Sequence, residues 1–175
     1  MLLPMKHKTL SIIFLDIDGV LVTAKTKDPS RPDPEKVKIF NEIVRRTGAQ
    51  VVLSSTWRYD KNWFQVMFDA GLRVDFIGTT ERLDAMNRGV EIHSFLLEHN
   101  LFHDRLYPKS PKSSMHKYVI IDDDSDFMSF QLPHLFKTTW ETGLTEEMAE
   151  RIVGYLNSGM KADEVLELKA HEYLM

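Results

Sequence analysis

Carboxylate side chains follow two strongly apolar stretches of the chain, and they are the residues best suited to chemistry. Asp16 and Asp18 come at the end of the stretch at residues 12–15, and three consecutive aspartates, 122–124, follow the stretch at 119–121. Two carboxylates packed 4 Å apart repel each other by about 4 kcal/mol at an effective dielectric near 20. A hard divalent cation such as Mg²⁺, which prefers carboxylate and carbonyl oxygens, offsets that repulsion. The sequence therefore predicts a Mg²⁺ site formed by these acidic residues.

Each acidic run also has a simpler interpretation. Asp18 and Gly19, placed between apolar residues, are a strong signal for a tight hairpin turn of type I′. Asp16 lies inside the apolar run and has no use in such a turn, which counts against the hairpin. Residues 122–124 equally suit the N-cap and acidic first turn of a helix, or a solvated loop. Capping and metal binding are compatible, so both interpretations of residues 122–124 stay open.

Two hydroxyl side chains close a further apolar stretch, at residues 50–53. Ser54 and Ser55, together with nearby backbone N–H groups, can donate hydrogen bonds to a phosphate or an oxyanion. Taken alone, the pair is better explained as the N-cap of a following helix. Arg58 is either a contact to an anionic substrate or a surface charge, and Trp57 is better explained by packing in the core.

These polar residues need a scaffold that brings the ends of the apolar stretches together. Short runs rich in Ile and Val are typical of strands that a parallel sheet buries on both faces. Such runs predict strands at residues 11–15, 50–53, 74–77, 118–121 and 135–136. Apolar residues three and four apart predict helices at 34–46, 63–68, 91–98, 145–156 and 162–173. This alternation predicts an α/β fold, in which the carboxyl ends of parallel strands share one edge of the sheet.

Composition limits the class of protein. A chain of 175 residues that is 43% hydrophobic and 27% charged suits about one globular domain, over residues 1–175. The formal net charge of -4 gives no global attraction to nucleic acid or to an anionic membrane, and the absence of cysteine excludes thiolate sites. No apolar run approaches the roughly 18 residues of a membrane span, and the first residues do not resemble a signal peptide. We expect a cytoplasmic protein with no membrane association and no obligate protein partner evident.

The residues at the strand ends resemble the sequence motifs of the haloacid dehalogenase (HAD) superfamily. The run Asp16-Ile17-Asp18-Gly19-Val20 matches the first motif, Ser54 matches the second, and the pair Asp122-Asp123 matches the fourth. The combination resembles most closely the small HAD domains associated with RNA-repair proteins. The resemblance covers roughly residues 10–145, which is expected to be the core, with the C-terminal helices at about 145–173.

The third motif of the superfamily is a Lys or Arg near the start of the helix that precedes the fourth-motif strand. By position in the sequence, this residue is Arg88. Three lysines closer to the strand are rivals for the same role: Lys109, Lys112 and Lys117.

The resemblance implies a Rossmann-like three-layer sandwich with a central, mostly parallel sheet, and a Mg²⁺-dependent phosphatase that works through an aspartyl-phosphate. Asp16 is then the nucleophile and Asp18 the general acid and base. The implied Mg²⁺ ligands are Asp16, the backbone carbonyl of Asp18, and the fourth-motif pair Asp122 and Asp123. The implied phosphate-binding residues are Ser54, Ser55 and Arg88. A non-catalytic phosphate-binding module and a phosphotransferase are the alternative functions.

Members of the superfamily usually carry a cap domain, inserted after the first or the second motif. Here Asp18 and Ser54 are 36 positions apart, and Ser54 and Arg88 are 34 positions apart, so the predicted helices and strand fill both intervals. The resemblance therefore implies an open site without a cap, of the kind that often acts on macromolecules such as oligonucleotide ends. Residues 105–117 form either a solvated basic loop or a contact to a polyanion. The candidate substrate contacts are Arg58, Lys109 and Lys112.

Overall fold

The computed structural model describes residues 10–83, 87–99, 101 and 117–158. The described residues form one sheet of five strands in the order β3-β2-β1-β4-β5, and all neighbouring strands are parallel. The strands are β1 (Ser11–Leu15), β2 (Gln50–Leu53), β3 (Phe76–Thr79), β4 (Lys117–Asp122) and β5 (Leu135–Lys137). The predicted α/β fold with a central, mostly parallel sheet is confirmed.

The strand β1 lies at the centre of the sheet, and its sequence explains that place. Residues 12–15 have no exposed surface, because helices cover a central parallel strand on both faces. Leu15 is level with Leu53 of β2 on one side and with Ile121 of β4 on the other. The residues that come next on the three strands therefore stand side by side at the carboxyl edge.

Four α-helices in the described part of the chain pack on the sheet: α1 (Pro34–Thr47), α2 (Trp63–Asp69), α3 (Arg88–Glu98) and α4 (Glu146–Asn157). Helices α1, α2 and α4 bury their apolar residues on one face of the sheet. Helix α3 covers the other face, where Phe95 packs edge-on against Phe14 of β1 with ring centroids 5.7 Å apart. The described residues thus form the three layers expected. The helix predicted at 162–173 lies outside the described residues.

Helix ends follow local capping chemistry. The Asp33 side chain accepts a hydrogen bond from the backbone N–H of Glu35 at 2.9 Å, and Gly48 ends α1 in the left-handed conformation with φ of 64°. Helix α3 begins at Arg88, three residues earlier than predicted, because the Asn87 side chain accepts from the N–H of Val90 at 3.1 Å and caps it there.

The predicted strand at 74–77 is displaced. Strand β3 begins two residues later, at Phe76, where its register with β2 shifts between Val51 and Val52.

The intervals that a cap domain would occupy are short in the described chain. The first holds α1 and β2, and the second holds a 3₁₀ helix (Thr56–Tyr59), α2 and β3. Among the described residues, no helix is both long and apolar enough to span a membrane.

Candidate active site

Three carboxylates meet at the carboxyl edge of the sheet. Oxygen atoms of Asp16, Asp122 and Asp123 all lie within 4.8 Å of one another. Asp16 and Asp122 are almost completely buried, because they directly extend the two buried central strands. A set of three convergent carboxylates fits a hard divalent cation such as Mg²⁺. The structure thus brings together three of the four residues predicted to hold the metal; the fourth, Asp18, is predicted to act through its backbone carbonyl.

Arg88, from the first turn of α3, reaches into this cluster. Its Nη1 atom lies 2.9 Å from Asp16 Oδ1 and 2.7 Å from Asp122 Oδ2. Burial tends to lower the pKa of the Arg88 guanidinium, but the charges of Asp16 and Asp122 outweigh it and raise the pKa further. Arg88 therefore remains a cation beside the carboxylates.

Of the three rival lysines, the structure describes only Lys117, and this residue lies away from the cluster. Lys117 begins β4, so it lies at the amino edge of the sheet, where its Nζ donates to the Tyr155 carbonyl at 3.2 Å. The expectation that Lys117 competes with Arg88 is therefore wrong. Lys109 and Lys112 lie outside the described residues.

Burial sets the protonation of the carboxylates. It raises the pKa of Asp16, against the opposing charge of Arg88, and it raises the pKa of Asp123. Burial together with the charge of Asp16 raises the pKa of Asp122 to about 7. Near neutral pH without a cation, part of the cluster is protonated, so protons and a metal ion compete for the same oxygens.

The loop after β1 is not a hairpin. The backbone N–H groups of Val20, Leu21 and Val22 all donate to the carbonyl of Ile17, which folds the chain into a single compact turn. Strand β1 has only parallel neighbours, so the type I′ hairpin interpretation of Asp18 and Gly19 is wrong.

Gly19 lets this turn pass directly beneath Asp123. Its φ is +71°, and a Cβ atom added there would lie 2.1 Å from Asp123 Oδ2. The Gly19 carbonyl accepts from Thr138 Oγ1 at 2.7 Å, which fixes the turn against the loop after β5. Any larger residue at position 19 would displace Asp123 or the turn.

The two serines have different surroundings. Ser55 caps the 3₁₀ helix, accepting from the Trp57 N–H at 3.4 Å, and its side chain lowers the pKa of the nearby Asp16 carboxyl against the larger effect of burial. The helix-cap interpretation is thus confirmed for Ser55, and the same residue lies at the cluster. The hydroxyl of Ser54 is buried and has no hydrogen-bond partner among the described residues. Buried polar groups are normally paired, so this hydroxyl is a donor that a ligand can use.

Asp18 lies beside the carboxylate cluster and is held by the Trp57 side chain rather than by Arg88. Its Oδ2 atom accepts from the indole Nε1 of Trp57 at 2.9 Å. The Trp57 ring packs against the apolar core, as its sequence context indicated, but the hydrogen bond from its indole was not expected. No pattern in the sequence connects these two residues, which are 39 positions apart.

Arg58 is a structural residue in the described chain. Its side chain is only 3% exposed, its Nη2 lies 2.7 Å from Glu91 Oε2, and its Nη1 donates to the carbonyls of Ser54 and Ser55 at 2.5 and 2.8 Å. The expectation of a surface charge for Arg58 is therefore wrong, and the expected substrate contact stays a prediction. The guanidinium ties helix α3 to the serine segment.

A second connection holds the start of α3 against the segment that follows β4. The Arg88 N–H donates to Asp126 Oδ2 at 3.0 Å, and the Gly89 N–H donates to the Asp126 carbonyl at 3.2 Å. A Cβ at Gly89 would lie 2.8 Å from the Met128 nitrogen and 2.9 Å from the Phe127 Cα. Sequence reasoning missed Asp126, and Gly89 is the one local sign of this close approach.

Comparison with known proteins identifies the family to which the sequence is similar. Residues 12–149 match the family described as the HAD domain in Swiss Army Knife RNA repair proteins. No curated protein and no solved structure matches the chain. The matched residues include the three clustered carboxylates, Arg88 and both serines, and they make up most of the chain. This protein therefore belongs to the HAD superfamily, in the family of HAD domains of Swiss Army Knife RNA repair proteins.

Proposed function

We propose that this chain is a Mg²⁺-dependent phosphatase, a phosphoric monoester hydrolase that forms an aspartyl-phosphate on Asp16. The observation that carries the proposal is the meeting of Asp16 with Arg88 and two further carboxylates, Asp122 and Asp123, at one edge of the sheet. A single phosphate group needs a nucleophile, a cation for its oxygens and a set of metal ligands, and the cluster contains candidates for all three.

Asp16 and Asp18 divide the chemistry. A carboxylate oxygen of Asp16 attacks phosphorus, and Asp18 gives a proton to the leaving oxygen as its bond to phosphorus breaks. Asp18 then takes a proton from the water that attacks phosphorus and releases phosphate from Asp16. The Asp18 carboxylate is held by the Trp57 indole, whereas Asp16 is paired with the Arg88 guanidinium, so the two aspartates are free for different roles.

The charge of the cluster explains the need for a metal ion. Three carboxylates and one guanidinium leave a net negative charge, which repels a phosphate dianion. Bound by Asp16, Asp122, Asp123 and the backbone carbonyl of Asp18, Mg²⁺ would supply the positive charge that lets an anionic nucleophile and an anionic substrate meet.

Donors for the phosphate oxygens lie around Asp16. Arg88 uses Nη1 for both carboxylates, which leaves Nη2 and Nε without a partner among the described residues and able to donate to phosphate. The unpaired hydroxyl of Ser54 and the hydroxyl of Ser55 stand on the adjacent strand end. Preorganised donors of this kind stabilise the charge that develops on the transferring group.

We further propose that the substrate is an end-phosphorylated oligonucleotide or a similar macromolecule. Two observations support this. The described chain has no inserted cap over the cluster, and the family is described by its occurrence in RNA-repair proteins. A small ester can touch little beyond the phosphate site, whereas a larger substrate can use contacts outside it to orient its phosphate.

A phosphatase panel with Mg²⁺ tests the chemistry. It contains an aryl phosphate, nucleotides, oligonucleotides phosphorylated at either end, and phosphopeptides, with Asp16→Asn as the inactive reference. We expect Asp16→Asn to retain less than about a hundredth of the wild-type rate with its fold intact, because only the nucleophilic charge is removed. Binding of phosphorylated ligands without turnover would instead identify a binding module. Turnover that needs an acceptor other than water would identify a phosphotransferase.

Salt dependence tests the substrate class. An end-phosphorylated oligonucleotide should have a higher kcat/KM than the matching mononucleotide, and the advantage should shrink as salt rises, as for contacts to a phosphodiester backbone. Equal efficiency at low salt, or a clear preference for one small ester, would contradict the macromolecular substrate and leave the phosphatase chemistry standing.

A further inference from the structure

We propose that Trp57 is a positioning residue for Asp18: its indole N–H holds Oδ2, so that Oδ1 carries the proton exchanged with the substrate. The proposal rests on the proposed acid and base role of Asp18. Trp57 does not touch the reacting atoms and acts only through the Asp18 carboxyl group.

The hydrogen bond from Trp57 determines which carboxylate oxygen of Asp18 carries the exchanged proton. Trp57 Nε1 lies 2.9 Å from Asp18 Oδ2, which is a normal hydrogen-bond distance. An indole N–H can only donate, so Oδ2 must be the acceptor in this pair. Among the residues that the structure describes, no other side chain donates to Asp18. The proton of the acid form therefore lies on Oδ1, and the indole sets the direction in which Oδ1 points.

The indole itself is held firmly. Trp57 lies in the 3₁₀ helix Thr56–Tyr59, and its ring packs against the buried core. The next residue, Arg58, anchors that helix through its buried pair with Glu91 and through hydrogen bonds to the carbonyls before it. A donor on a mobile side chain would not fix a carboxylate, whereas this donor stands on a tethered turn.

One short turn serves both catalytic aspartates. Ser55 interacts with the Asp16 carboxyl and lowers its pKa, and Trp57 donates to Asp18, so residues two apart on the turn face residues two apart after β1. The spacing keeps the nucleophile and the acid in a constant relation. This gives Trp57 a role in the reaction beyond its packing.

Proton transfer to the leaving group provides the test. As Asp16 forms its bond to phosphorus, the bond to the leaving oxygen breaks, its electron pair stays on that oxygen, and the proton of Asp18 Oδ1 moves to it. A leaving group that is a weak base, such as nitrophenolate, needs little help from the acid, whereas an alkoxide needs much. Misplacing Asp18 should therefore slow alkyl phosphates far more than aryl phosphates.

The variant is Trp57→Phe, which keeps an aromatic ring and removes the N–H. We expect kcat/KM to fall at least about tenfold for an alkyl phosphate and less than about threefold for nitrophenyl phosphate. The matched control is Trp63→Phe. Trp63 packs on the same core, 5.2 Å from the ring of Phe76 between centroids, and its loss should leave both substrates unaffected. An equal loss for both substrates would overturn the proposal, because a merely structural defect does not sense the leaving group.

A second measurement needs neither activity nor a Trp57 variant. The chain has three tryptophans, so ¹H–¹⁵N spectra should contain indole N–H signals from Trp57, Trp63 and Trp140. Asp18→Asn should shift the Trp57 signal most, because it changes the acceptor group that this N–H faces. An unmoved Trp57 signal would overturn the proposal. If the wild-type protein hydrolysed no ester, the proposed function would fail, and the indole shift would still decide whether Trp57 holds Asp18.

Discussion

Removing the buried negative charge of Asp122 is expected to stabilise the metal-free protein, by an amount that grows with pH. Asp122 has no exposed surface, and burial together with Asp16 raises its pKa from 3.8 to about 7. Between these two values the folded protein holds a proton that the unfolded chain has released, so stability falls as pH rises. At about 1.36 kcal/mol per pH unit, the loss across this window is about 4 kcal/mol.

Urea denaturation measures this loss. The wild-type protein and Asp122→Asn are compared in chelator at pH values from 4 to 8. Asparagine keeps the shape of the side chain, but its one carbonyl oxygen can accept either from Arg88 or from the Asp124 N–H, which Asp122 meets with two different oxygens. The lost hydrogen bond costs the variant a similar amount at every pH, so the quantity compared is the change with pH in the stability difference between the two proteins. From pH 4, where Asp122 is protonated in the native state, to pH 8, the stability of the variant relative to wild type should rise by about 4 kcal/mol.

The control is Asp69→Asn, which makes the same substitution at an exposed carboxylate at the end of α2, away from the cluster. Added Mg²⁺ should stabilise the wild-type protein at pH 8 and the Asp122 variant much less. A difference that stays flat from pH 4 to 8 would refute the reasoning, because it would mean that Arg88 fully offsets the buried charge of Asp122.

Three further outcomes follow from the site. Chelator should stop phosphatase activity and Mg²⁺ restore it, with Asp123→Ala weakening Mg²⁺ binding in calorimetry; full activity in chelator would defeat the metal site. Gly19→Ala should lose most activity while remaining folded, because its Cβ would meet Asp123 Oδ2 at 2.1 Å; unchanged kinetics would show that the turn adapts freely. Glu91→Ala should cost about 3 kcal/mol or more in denaturation, because it leaves the Arg58 guanidinium buried and unpaired, and a cost below about 1 kcal/mol would mean that water replaces the carboxylate.

The strand ends were the most predictable part of the molecule. Apolar runs at β1 and β2 have the predicted bounds, because each run is buried on both faces and its limits are marked by the first polar residue. The meeting of Asp16 with Asp122 and Asp123 followed from one rule, that parallel strands end at a common edge. Arg88 was placed correctly at the start of its helix, although that helix was expected to begin later.

The contacts that hold the site residues in place could not be predicted from the sequence. The hydrogen bond from Trp57 to Asp18 and the ion pair of Arg58 with Glu91 join residues 39 and 33 positions apart. Such pairs depend on how a 3₁₀ helix and α3 pack over the sheet, and no local pattern encodes that packing. Arg58 shows why neighbouring residues alone do not define the role of a charged side chain, since this arginine beside two serines forms a buried ion pair and is not a surface charge.

The order of the strands has a consequence for how the protein folds. Strand β1 pairs with β2 and with β4, and Asp16 and Asp122 are 106 positions apart in the chain. Closing so long a loop is slow, so the insertion of β4 beside β1 belongs to the late steps of folding. Before that step Asp16 is far from Asp122 and Asp123, so one cation cannot bind all three carboxylates. A metal ion that binds them therefore acts on the finished fold: it should slow unfolding and leave the rate of folding nearly unchanged.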